Sequence, residues 1–347
     1  MKFLKRGSVK ELLAVAEPQG ENPGEGRFVF TDSYSVFDWG EMPDPISDKG
    51  TALCLIGAHF FEKLEAKGIR THYLGLEEGG QLKRLKDLKA PSRVMGVKLL
   101  RVLEPSLKDG GYDYSVYRRE RSNFLIPLEV IYRNALPAGS SVFRRLREGS
   151  LSLEDLGLKE PPHPGQVLEE PILDVSTKLE PTDRYLTWSE AQELAALTDE
   201  EVSEIRRLTL EIDRVITEAT RPLGLLNEDG KVEFGFDRGR RLLVVDVVGT
   251  PDECRFTAEG VPLSKELLRI LYRRTPWYKK LQEAKGRDRL RWKEYISEPP
   301  PLSPRTVELV SWMYRALANE LTSRIWFEGV PSLKEVIEEL KAVLEEG

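Results

Sequence analysis

Between Asp229 and Phe236 polar and apolar residues alternate. Asp229, Lys231 and Glu233 fall on one face of a strand, and Val232, Phe234 and Phe236 on the other. An apolar run, Leu242–Val248, follows, and Asp237–Arg240 with Gly239 supplies a turn, so the segment reads as a β-hairpin. A two-residue loop at Arg238-Gly239 sets Asp246 opposite Lys231 and diagonal to Glu233, at roughly 5–8 Å spacing. Asp246 also interrupts an otherwise apolar run, where a lone carboxylate is costly unless paired or metal-bound. Two carboxylates and an ammonium on one face suit a structural ion pair, or Mg²⁺ held jointly with phosphate groups. Spacing alone leaves both open.

The same patterning predicts the other elements. Ser8–Val15 and Phe28–Thr31 form a hairpin across the Pro/Gly-rich PQGENPGEG, and residues 31–50 make a long loop. Residues 51–67 carry Leu53, Ile56, Phe60 and Leu64 on one helical stripe, with Gly68 as the stop. Short strands follow over 69–104, with Met95–Leu103 at a junction. Phe124–Tyr132 is a strand interrupted by Pro127, hence edge or bulged, and Gly139-Ser140-Ser141 opens a helix with Phe143 and Leu146 inward. Thr198 and Glu201 form a capping box for a helix over Thr198–Thr220. Thr306–Phe327 repeats apolar residues from Val307 to Ile325 at three- and four-residue steps, a seam for domain core or a homo-oligomer contact. This is an α+β pattern, divided into a β-rich part over 1–104 and an α+β part over 105–347.

Length and composition fit a soluble protein with a sizeable core: 347 residues, 40% hydrophobic and 32% charged. The net charge of −6 argues against a generally nucleic-acid-binding surface. No apolar run approaches the roughly 20 residues that span a bilayer, and the N-terminus lacks a secretory pattern, so a cytoplasmic location is expected. Cys54 and Cys254 have no metal-ligand spacing, and His59, His72 and His163 form no paired motif. Chemistry here must rest on carboxylates, Lys and Arg.

Several blocks together resemble a known family. Asp229-x-Lys231-x-Glu233-Phe-Gly, the apolar strand ending in Asp246, then Pro251-Asp252 and Arg255 resemble the signature of SAICAR synthetases. Thr31-Asp32…Ser35-x-Phe37-Asp38…Lys49-Gly50 is similar to that family's TDRxSxFD…IPxKG segment, with Asp48 replacing the usual Gly. Pro127-Leu128-Glu129-Val130…Arg133…Gly139-Ser140 resembles its phosphate-binding segment, with one residue more between Arg and Gly. Pro171–Lys178 resembles PIFxxSTK, and Asp183 stands near the usual His-Asp, with Thr182 in place of the His.

The resemblance implies a two-domain α+β fold distantly like protein kinases, with ATP in the interdomain cleft. It implies an ATP-dependent carbon–nitrogen ligase of purine biosynthesis that joins L-aspartate to carboxyaminoimidazole ribonucleotide (CAIR). Gly7, Lys10 and Lys231 would then bind ATP, and Lys231 and Asp229 would be catalytic. Glu233 and Asp246 would hold Mg²⁺. Arg133, Ser140 and Arg255 would bind the ribonucleotide, with Asp38, Lys49 and Lys178 on the aspartate or substrate side and Asp183 nearby.

Residues 257–303 depart from the family pattern. From Arg269 to Lys293 ten basic residues accompany two acidic ones, with Tyr272, Trp277, Tyr278 and Trp292 interleaved. The stretch reads as a helix pair with aromatics inward, as a phosphate-facing surface, or as a single-strand nucleic-acid site on a retired ligase scaffold. A related ligase acting on another carboxylate and amine is the alternative within enzymes.

Overall fold

The computed structural model describes residues 1–108, 110–288 and 291–345. Its first sheet contains β1 (Lys2–Arg6), β2 (Lys10–Ala16), β3 (Gly24–Phe30), β4 (Tyr73–Glu78), β5 (Gln81–Lys83) and β6 (Val94–Leu99). These lie in the order β1-β2-β3-β6-β4-β5. The expected hairpin is present as β2 and β3, and β1 adds an exposed edge strand to it. Helix α1 (Lys49–Ala66) follows the long loop. Its expected stripe is buried, and so are Cys54, Leu55 and Phe61 on other faces. A helix apolar on several sides belongs inside the protein rather than on its surface.

A short hairpin, β7 (Ser106–Lys108) and β8 (Gly111–Asp113), leads to the second sheet. This sheet holds β9 (Phe124–Leu136), β10 (Gln166–Thr177), β11 (Tyr185–Leu186), β12 (Leu226–Phe236), β13 (Leu242–Val245), β14 (Cys254–Ala258) and β15 (Val261–Pro262). Its order is β11-β10-β9-β12-β14-β15, with β13 also on β12. Strand β9 therefore lies inside the sheet, not at its edge. Pro127 is accommodated by a bulge: Glu233 pairs with Glu129 but Gly235 with Leu125, so β9 carries two extra residues there.

The helices are α2 (Ser141–Glu148), α3 (Trp188–Ala195), α4 (Asp199–Thr220), α5 (Lys265–Arg273), α6 (Pro276–Arg287), α7 (Pro304–Leu321) and α8 (Leu333–Glu345). The capping box of α4 is present, with Glu201 N–H donating to Thr198 Oγ1. Helix α7 packs between α1 and α8, so its apolar seam is core. It ends at Leu321, earlier than expected, and leaves Ile325 exposed.

In the basic stretch the aromatics face inward. Trp277 and Trp292 both pack on Trp39 of the long loop, and Tyr278 meets Phe37 at 4.8 Å between ring centroids. This is the inward packing of the helix-pair reading, with Trp277 and Trp292 buried and Tyr278 half-buried. Arg289 of that stretch lies outside the described residues.

Candidate functional site

Strand β12 forks the second sheet. One edge pairs with β9, while the other pairs first with β14 over Leu226–Gly230 and then with β13 over Glu233–Phe236. Lys231 stands at the fork, where its N–H donates to the Glu253 carbonyl at 3.0 Å. Its ammonium reaches Glu129 at 2.9 Å, Glu233 at 3.0 Å and Glu253 at 3.2 Å. Lys178, just after β10, reaches Glu233 at 2.5 Å.

Asp246 comes to this cluster by a route different from the expected one. Phe236 pairs with Leu242, and Asp237 N–H donates to Arg241 O, so the hairpin loop is Arg238-Gly239-Arg240. That is one residue longer than a two-residue turn, and Arg240 takes the left-handed region, φ 55°, that closes three-residue hairpins. The register shifts, and Asp246 does not stand opposite Lys231. It follows the end of β13 with φ 62°, and its carboxylate accepts from Lys10 Nζ at 2.8 Å.

Opposing effects set the protonation states. Burial works against the Lys231 ammonium, but Glu253, Glu233 and Glu129 hold its pKa well above the ordinary lysine value. Burial likewise favours protonation of Asp246, yet Lys10, Lys178 and Lys231 keep it far below the usual carboxylate range. Glu233 is held down by Lys231 and Lys178 despite its burial. Glu129 goes the other way: burial, together with the neighbouring charge of Glu233, raises it to about 7.

Two adjoining cavities share this cluster, with Ser8, Lys231 and Glu253 lining both. The first, about 520 Å³, has apolar walls from Leu12, Leu99, Leu100, Val102 and Val245, and is roofed by Gly7–Lys10 at the turn from β1 to β2. Gly7 N–H donates to Lys10 O at 2.8 Å, closing that turn. The second, about 440 Å³, is lined by Arg133, Asp229, Arg255, Lys265 and Arg269. Here Asp229 Oδ2 accepts from Arg255 at 2.9 Å and Arg133 at 3.3 Å, and Arg133 also reaches Asp174 at 3.1 Å. One continuous cleft thus runs from an apolar end, across lysines and carboxylates, to an arginine-rich end.

Gly7, Lys10, Lys178, Lys231, Glu233 and Asp246 line the apolar cavity, and Arg133, Asp183, Asp229 and Arg255 line the other, which Lys231 shares. Three sequence-predicted residues lie outside both linings. Lys49 is fully buried, its ammonium paired with Asp252 at 2.9 Å, so it props Asp252 from behind. Ser140 is buried as the N-cap of α2, its hydroxyl accepting from Val142 N–H. Asp38 is exposed and bound by Lys285 at 2.9 Å.

Sequence reasoning did not single out Glu129, Glu253, Lys265 or Arg269. A glutamate inside the apolar run IPLEVIY was the available signal for Glu129. Glu253 follows the noted Pro251-Asp252, and Lys265 and Arg269 sit in the stretch that departs from the family pattern.

The chain matches the family model described as SAICAR synthetase over residues 3–283. It is 52% identical over 339 residues to a putative phosphoribosylaminoimidazole-succinocarboxamide synthase of Archaeoglobus fulgidus, covering 98% of this chain and 100% of that one. The synthase of Thermoplasma volcanium is 34% identical, with 94% and 100% covered. Among solved structures, Saccharomyces cerevisiae SAICAR synthase complexed with SAICAR superposes with a TM-score of 0.63 at 22% identity, covering 94% of this chain and 96% of that one. A type-2 SAICAR synthetase in complex with ADP gives 0.56 at 20%, covering 87% and 100%. With charged groups of this kind gathered in one cleft and a family match over most of its length, this chain belongs to the SAICAR synthetase family.

Proposed function

We propose that the chain condenses CAIR with L-aspartate at the expense of ATP, giving SAICAR, ADP and phosphate. The observation that carries this reading is the succession of surfaces along one cleft. A flat apolar base suits the end walled by Leu12, Leu99 and Val245. A polyphosphate suits the middle, where the Gly7 turn and the ammonium groups of Lys10, Lys178 and Lys231 converge. A phosphorylated ribonucleotide suits the end with Arg133 and Arg255. The solved SAICAR synthetase structures in complex with ADP and with SAICAR agree with it. In this reading residues 1–104 cover the nucleotide and residues 105–347 hold the other substrates.

The Glu233 and Asp246 carboxylates fit Mg²⁺. They are hard oxygen donors, and the charge of Asp246 is felt at Glu233. Among the described residues no three His, Cys, Asp or Glu side chains converge to hold an ion alone. Glu233 and Asp246 would hold the ion, and when bound it would neutralise phosphate charge.

The CAIR carboxylate attacks the γ-phosphorus, ADP leaves, and the aspartate amine then displaces phosphate from the acyl carbon. Lys231 stabilises charge on the transferring phosphoryl oxygens, and the fold chiefly supplies positioning. Asp229 receives both arginines on Oδ2, so Oδ1 is the atom that orients the amine and takes its proton. A coupled assay of ADP release, omitting each substrate in turn, tests the reading. Full turnover is expected only with ATP, CAIR and aspartate together; release that does not need CAIR, release that aspartate does not raise, or none with all three, overturns it. No helix among the described residues is long and apolar enough to cross a membrane, in keeping with a cytoplasmic enzyme.

A further inference from the structure

The Val36–Trp39 turn is built against the preference of Phe37. Trp39 N–H donates to Val36 O at 3.2 Å, and the two central residues, Phe37 and Asp38, lie in the left-handed region with φ 55° and 63°. Two left-handed central residues mark a type I′ turn, in which Gly, Asn and Asp dominate. Asp38 fits that pattern, whereas a bulky residue such as Phe37 is a steric outlier there. Such a turn persists only where its surroundings hold it.

What holds it comes from the stretch that departs from the family pattern. Lys285, in the last turn of α6, donates from Nζ to Phe37 O and to Asp38 Oδ2, both at 2.9 Å. Its ammonium also lies 4.8 Å from the centre of the Trp292 ring. Tyr278 packs on the Phe37 ring, and Trp39 is wedged between Trp277 and Trp292, 5.6 and 5.8 Å from their centroids. On either side of the turn, Tyr34 and Tyr272 share a hydroxyl hydrogen bond at 3.1 Å, and Asp44 accepts from Leu302 N–H at 2.6 Å. The Asp38 side chain is 87% exposed, and an ion pair of that kind adds little to stability. The brace therefore fixes a position more than it secures the fold.

That position is beside the arginine-rich cavity. Asp183 lines the cavity. Burial raises its pKa and the charge of Asp38 adds to the rise, while Lys231 and Lys178 act in the opposite sense. Asp38 lies outside the lining, yet close enough to Asp183 to act on it from the cavity mouth.

We infer that Lys285 is a positioning residue: with the rings around it, it holds the Phe37-Asp38 turn so that the Asp38 carboxylate stands at the mouth of the arginine-rich cavity when CAIR and aspartate are bound. The inference rests on the proposed ligase reading for the identity of those ligands, and it gives the basic stretch a part in their binding.

Titration calorimetry with SAICAR and with ADP on Lys285→Met, Asp38→Asn and the double variant tests this. Methionine keeps the length of the side chain but cannot donate. Lys285→Met is expected to weaken SAICAR binding roughly five-fold or more, to leave ADP binding within about two-fold, and to lower the Tm by less than about 3 °C. Asp38→Asn is expected to weaken SAICAR binding as well, and the double variant should lose no more than the weaker single one, because Lys285 acts through Asp38. Unchanged SAICAR affinity in either single variant, an equal loss for ADP, or additive losses overturns the inference. Chymotrypsin reads the brace without any ligand. Cleavage after Phe37 and Trp39 should rise several-fold in Lys285→Met, and cleavage at the wild-type rate overturns the inference too. A wild-type protein that binds no SAICAR would mean that the ligase reading has failed instead, and the cleavage result would still decide whether Lys285 braces the turn.

Discussion

The imidazole Nε2 of His72 lies 3.0 Å from the carbonyl oxygen of Asp246, and since a carbonyl only accepts, the ring donates. His72 sits between Phe28 and Phe61, with ring centroids 5.6 and 5.5 Å away, and burial lowers its pKa to about 4. The ring is neutral at working pH with its proton on Nε2. Around it, His72 N–H donates to Val244 O and Val244 N–H to Arg70 O, at 3.0 and 2.9 Å. Strand β13 is thereby tied to the chain that enters β4, and the left-handed Asp246 is tied with it.

A left-handed non-glycine residue costs about 1–3 kcal/mol and persists only where its surroundings fix it. Removing the donor while keeping the ring, in His72→Phe, should loosen Asp246. The expected effect is about 1 kcal/mol, a roughly five-fold weaker binding of ADP with Mg²⁺ in titration calorimetry. ADP without metal should bind as before. In an Asp246→Asn background the same substitution should cost nothing further, because its effect passes through Asp246. Additive losses would mean that His72 acts on the fold at large.

Glu129 gives the protein a pH-dependent component of stability. Its folded pKa of about 7 lies above the ordinary carboxyl value of 4.5. Between these values the folded state keeps a proton that the unfolded chain releases, so stability falls as pH rises from about 4.5 to 7. The loss should be on the order of 1 kcal/mol or more. Glu129→Gln should flatten that slope in urea unfolding between pH 5 and 8, measured in about half-unit steps. An unchanged slope would assign the pH dependence to other groups.

These two relationships mark where sequence reading stops. Alternation along residues 229–236 gave the strand and the shared face of Lys231 and Glu233, because side-chain direction is a local property. The α4 capping box was legible for the same reason. The hairpin register was not, since it turned on Arg240 adopting φ 55°, which its residue type does not announce. Nor was the meeting of Glu129 with Glu233, which are 104 positions apart and adjacent only through the pairing of β9 with β12. Lys49 illustrates a third limit. A lysine reads as exposed until tertiary contacts supply its partner, here Asp252, and both are almost wholly buried.

That buried pair should be costly to break. Burial alone would raise the Asp252 carboxyl, but Lys49 overrides it and holds it at about 2, so Asp252 is charged wherever the protein is folded at ordinary pH. Lys49→Met strands this charge beneath the arginine-rich cavity. Destabilisation of about 3–5 kcal/mol is expected in chemical denaturation. Lys49→Met combined with Asp252→Asn should recover part of it, since no uncompensated charge remains. A small loss in the single variant would mean that water reaches Asp252 once the lysine is gone.

Arg133 and Arg255 both meet Asp229, yet they should respond differently to truncation. The Arg133 side chain is 3% exposed and bridges Asp174 and Asp229, whereas that of Arg255 is 23% exposed and bound to Asp229 alone. Arg133→Ala opens a void between Asp174, which keeps Arg145, and Asp229, which keeps Arg255, so its first effect is on folding, by about 1–3 kcal/mol. Arg255→Ala opens only the solvent side of the cluster. The fold should survive, and the KM for CAIR should rise about ten-fold or more while that for aspartate changes little. Equal rises in both would place Arg255 outside the ribonucleotide's reach, as a clamp on Asp229 rather than a substrate ligand.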